Sequence, residues 1–65
     1  MKLNAICVLS DYTNKTIKLI NYTTGNIEKF VDITEIFLFF EVELLSQFEV
    51  LQINIFKNDI EIVIR

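Results

Sequence analysis

The chain has 65 residues, a formal net charge of −3, 52% hydrophobic residues, one cysteine and no histidine. This length allows one small domain, residues 1–65, which buries only ~60% of its unfolded surface and has ~3–5 kcal/mol of net core stability. A lone Cys7 excludes an internal disulfide and a multi-cysteine zinc site, and the absent histidine leaves Ser10, Ser46 and Cys7 without a base.

Residues 2–9, KLNAICVL, predict a first strand, with Cys7 as a small buried hydrophobe. In TIKLINY, Ile17 and Leu19 share one face with Lys18 between them. Thr23-Thr24-Gly25-Asn26 supplies a turn in which Gly25 takes a positive φ, and Ile27, Val31 and Ile33 return as the next strand. The N-x-T sequons at Asn14 and Asn21 are chance occurrences in this Asn/Thr-rich hairpin.

The stretch 35–50, EIFLFFEVELLSQFEV, carries four glutamates and no base. As a strand it places Ile36, Leu38, Phe40, Val42 and Leu44 on one face, and Glu35, Phe37, Phe39, Glu41, Glu43 and Leu45 on the other. As a helix it scatters its acidic residues around the wheel. Asp32 or Thr34 can nevertheless cap a short helix. Periodicity favours a strand, and strand, helix and loop all stay open for residues 35–45. Beyond it, Leu51, Ile53 and Ile55 share a face, Lys57-Asn58-Asp59 turns, and Ile60, Ile62 and Ile64 complete a closing hairpin in a mainly antiparallel sheet.

Charge divides the chain unevenly. Residues 1–29 are net +2, residues 30–56 are net −5 without a single base, and residues 57–65 are neutral. A net-acidic chain lacks the basic footprint of direct nucleic-acid binding. The purely apolar run at residues 36–40 is far short of the ~20 residues of a membrane-spanning helix. With no signal-like N-terminus and one unpaired thiol, the expected location is the cytoplasm. The wealth of Ile, Asn, Phe and Lys suggests an AT-rich genome, such as that of a low-GC bacterium or a phage.

Asp11-Tyr12 before an apolar strand, Tyr22 followed by Gly25, Phe30 with Asp32, Phe39, Phe48 and the closing Ile60 to Ile64 form an ordered set. In these points the chain resembles a small bacterial family, domain of unknown function 2442, over nearly its whole length. It lacks the Trp of that family's closing strand. The resemblance implies an α+β fold: a three-stranded meander, a loose segment with one short helix near residues 43–48, and a closing hairpin. Phe39, Val42 and Phe48 would then plug the core. An all-β, six-stranded arrangement is the alternative. The family's activity is unknown, and many members look like partners of a second small domain in toxin–antitoxin-like pairs.

No constellation for catalysis or cofactor binding stands out. Gly25 stands alone, so no glycine-rich loop cradles phosphate. Asp32, Glu41 and Glu43 do not have the spacing of a calcium loop. The expectation is a non-enzymatic protein-binding module, antitoxin-like or accessory, whose partner is a more basic protein. Its expected interface is Glu35, Phe37, Phe39, Glu41, Glu43 and Glu49, an apolar patch rimmed by carboxylates. Two alternatives stand beside it: a structural subunit that pairs strand edges with copies of itself, and a phage-type acidic inhibitor of a host DNA-processing enzyme.

Overall fold

The computed structural model describes residues 1–6 and 15–65, leaving out the side chain of Val42. Cys7, Ser10, the Asp11-Tyr12 pair and Asn14 lie outside the described residues. The elements are β1 (Thr16–Asn21), β2 (Ile27–Phe30), α1 (Ile33–Phe39), α2 (Val42–Gln47), β3 (Val50–Ile55) and β4 (Asp59–Ile64). They form an α+β fold with one four-stranded sheet in the order β2-β1-β4-β3.

The first hairpin forms about its expected turn. Asn21 closes its turn: its side-chain oxygen accepts from the N–H groups of Thr23 and Thr24 at 3.0 and 3.1 Å. Gly25 sits at φ 78°, the left-handed region where a side chain is strained, although a Cβ there would meet no atom within 4 Å. The constraint on Gly25 is therefore torsional rather than steric.

Several expectations change. Residues 3–6 form a 3₁₀ turn rather than a strand, and Lys2 makes only an isolated antiparallel bridge to Glu49. The described residues thus hold neither a three-stranded meander nor a six-stranded all-β sheet. The sheet is also mixed, because β1 and β4 run parallel at its centre while β2 and β3 flank them antiparallel. Finally, β2 stops at Phe30, leaving Val31 70% exposed and Ile33 inside α1.

That early stop is a capping event. Asp32 is extended, and its carboxylate accepts the Glu35 N–H at 3.2 Å. Glu35 reaches back to accept the Val31 N–H at 2.8 Å, a close variant of the capping box. From there Ile33, Ile36, Phe37 and Phe40 follow the i, i+3, i+4, i+7 spacing of one helical face. Ile33 and Ile36 are buried, and Phe37 and Phe40 pack against the core. The strand reading of residues 35–45 gives way to two short helices separated by the extended pair Phe40 and Glu41.

One side of the sheet meets these helices. Ile17, Leu19, Phe30, Ile60, Ile62 and Ile64 from the strands join Leu3, Ile6, Ile33, Ile36 and Leu45 in a single core. The other side is largely polar, with Lys18 of β1 3.8 Å from Glu61 of β4. In the closing hairpin a register shift between Val50 and Gln52 leaves Leu51 without a register partner on β4. Val50, not Leu51, therefore packs on the core beside Ile53.

Candidate functional site: the groove between β2 and α1

Phe30, the last residue of β2, starts a string of rings. Its centroid lies 5.4 Å from that of Phe39; Phe39 lies 4.8 Å from Phe40, and Phe40 lies 5.5 Å from Phe48, all edge-on. Phe48 and Phe40 are half-buried against the core, whereas Phe39 is 58% exposed. Phe39 is thus not the core plug that the resemblance implies.

The helical stripe explains why. With residues 33, 36, 37 and 40 turned inward, 34, 35, 38 and 39 turn outward, and Leu38 is 80% exposed. Leu38 and Phe39 overhang a groove of about 400 Å³, whose other lining residues are Glu28, Lys29, Phe30 and Glu35. A second groove, of about 260 Å³, lies on the other side of Phe39 and reaches Phe40 and Phe48. Glu28 borders both, because its register partner is the core residue Leu19 and its side chain projects to the helix side. The rim carries two carboxylates, Glu28 and Glu35, with Lys29 as the one base among its lining residues.

The structure sorts the six expected interface residues. Glu35 and Phe39 come together in the first groove, although Glu35 also braces the helix start. Phe37 is half-buried against the core. Glu41 and Glu43 are exposed at the start of α2, and their pairing on one side of a strand disappears with the strand. Glu49 is elsewhere, held by Lys2 at 2.8 Å and by the N-terminal ammonium at 3.6 Å. The Lys2 hydrogen bond and charge, followed by the N-terminal charge, hold the Glu49 carboxyl below the ordinary glutamate range.

Glu28, Lys29, Phe30 and Leu38 were not among the expected residues. A helical window opened at Ile33 rather than Glu35 exposes the inward stripe and, by difference, the outward Leu38. The approach of β2 to α1, which adds Glu28, is a tertiary fact without a local signal.

Among the described residues no polar or charged side chain is buried, and no group of three Asp, Glu, Cys or His side chains could hold a metal ion. No helix among them is long and apolar enough to cross a membrane. Compared with family models, with curated proteins and with solved structures, the chain matches none.

Proposed function

We propose that this chain is a non-enzymatic protein-binding module, antitoxin-like or accessory, that engages a more basic protein in the cytoplasm. The observation that carries this reading is the ledge of Leu38 and Phe39, exposed at 80% and 58% beside a groove with carboxylates at its rim. A domain this small has little apolar surface to spare, and burying such a side chain contributes about 1.5–3 kcal/mol. Clustered apolar residues with a charged rim mark protein interfaces, and the acidic rim favours a basic partner by charge complementarity.

The test is quantitative capture from cell extract with the wild-type chain and Leu38→Asp. The expected result is a basic protein retained by the first and lost by the second, with both chains equally folded by circular dichroism. Identical retention by both would remove the groove from the account.

A second reading, a homo-oligomeric structural subunit, is favoured by one feature at the opposite edge of the sheet. β3, VLQINI, has no charged residue to guard it. Antiparallel pairing about Ile53 with its symmetry mate sets Leu51 against Ile55 and Gln52 against Asn54. None of these contacts opposes like charges.

A further inference from the structure

Building on the reading of the chain as a binding module, we propose that the groove receives its partner as an added β-strand: an extended segment with Lys or Arg at alternate positions pairs along the outer edge of β2.

The backbone is arranged for this. Among the described residues β2 has a strand neighbour on one side only. Asn21 donates its N–H to the Asn26 carbonyl at 2.8 Å, which fixes the phase of the ladder. Antiparallel alternation then turns the N–H and C=O groups of Ile27 and Lys29 outward. A groove bounded by a strand edge and a helix suits peptides that add a strand: the main chain supplies the pairing and side-chain pockets supply the choice.

The side chains define the occupant. Alternate residues of an added strand project to the helix side, over Phe30, Leu38 and Phe39, with Glu28 and Glu35 at the rim. Lys or Arg fits there, since its stem covers apolar surface while its charged head reaches a carboxylate. A guanidinium can also lie against the exposed Phe39 ring. Residues between them project to the other side, near Ile27 and Lys29, where uncharged β-branched side chains suit the sheet.

A second copy of this chain is a poor occupant of this edge. Two-fold pairing of β2 with itself keeps both helix layers on one side, so that residues of the same face oppose each other. The two central registers then place Glu28 against its own symmetry mate, or Lys29 against its own. Like charges directly opposite are destabilising, so the charges of β2 guard it against itself.

The test pans a random short-peptide library against the folded chain, synthesises the enriched peptides, and maps their binding by amide chemical shifts and hydrogen exchange. Basic residues are expected at alternate positions, with shifts centred on Ile27 to Phe30 and slowed exchange at the Ile27 and Lys29 N–H groups. Glu28→Lys should weaken these peptides about tenfold or more, and N-methylating their edge-facing backbone nitrogens should abolish binding. Peptides that depend on Leu38 but tolerate N-methylation would overturn strand addition while leaving the binding module intact. Enrichment of peptides that all ignore Leu38, or no enrichment, would overturn both.

Discussion

Ile36 and Leu38 stand two positions apart in α1, yet the first is sealed from solvent and the second is 80% exposed. Ile36→Ala should cost about 2–5 kcal/mol, comparable to all the net core stability of ~3–5 kcal/mol expected at this size, and leave the chain largely unfolded. Leu38→Asp, at a surface position in the last turn of α1, should cost only about 1 kcal/mol. Urea titration of both variants checks the contrast. Glu49 makes a different prediction. Its folded pKa is lowered, so its contribution to stability is complete above the ordinary glutamate value and is lost as pH falls through the lowered one. Lys2→Ala should therefore lower the urea midpoint at neutral pH and match the wild type once Glu49 is protonated. A difference that persists in acid would mean that Lys2 acts through something other than this carboxylate.

At the scale of elements, α1 shows how a local signal can outweigh alternation. Residues 36, 38, 40, 42 and 44 are all apolar, which suits a strand, but Asp32 and Glu35 bind the N–H groups that start a helix. The i, i+3, i+4, i+7 stripe from Ile33 then buries its apolar face. Asp32→Ala should cost about 1 kcal/mol, read as a lower thermal midpoint with loss of helical circular dichroism. Both hairpins were legible because their turns carry their own chemistry, Gly25 in one and Lys57-Asn58-Asp59 in the other. The register shift that displaces Leu51 was not legible, since it arises where Val50 donates to the Met1 carbonyl at 2.7 Å while pairing with Ile64. Nothing in the apolar run VLQINI marks that contact. Likewise, the carboxylates of the acidic stretch were visible in the sequence, but their separation followed from the α1–α2 break and from the Lys2 contact to Glu49.

Across the whole molecule, the least legible feature is the parallel pairing of β1 with β4. It joins strands separated in sequence by β2, both helices and β3, and their alternating Ile and Leu residues suit either direction. Among the described residues this pairing makes β2 and β3 the outer strands, and they differ in kind: β2 is charged and lies beside the acidic groove, whereas β3 is neutral. If the chain self-associates, β3 is the edge that supports it. Gln52→Lys combined with Asn54→Lys, which sets like charges opposite one another in the symmetric pairing, should then dissociate the oligomer without unfolding it.

Whether the Leu38–Phe39 groove is kept for a different protein is read most directly from the mass of the pure chain. Size-exclusion chromatography with light scattering would be run at about 0.05 and about 0.5 M salt, which takes the screening length from above to below about 10 Å. A groove kept for another protein gives the same mass for the wild type and Leu38→Asp at both salts, whether that mass is a monomer or a β3-paired dimer. An oligomer that falls apart on Leu38→Asp would contradict it, because the groove would then be filled by the chain's own copy.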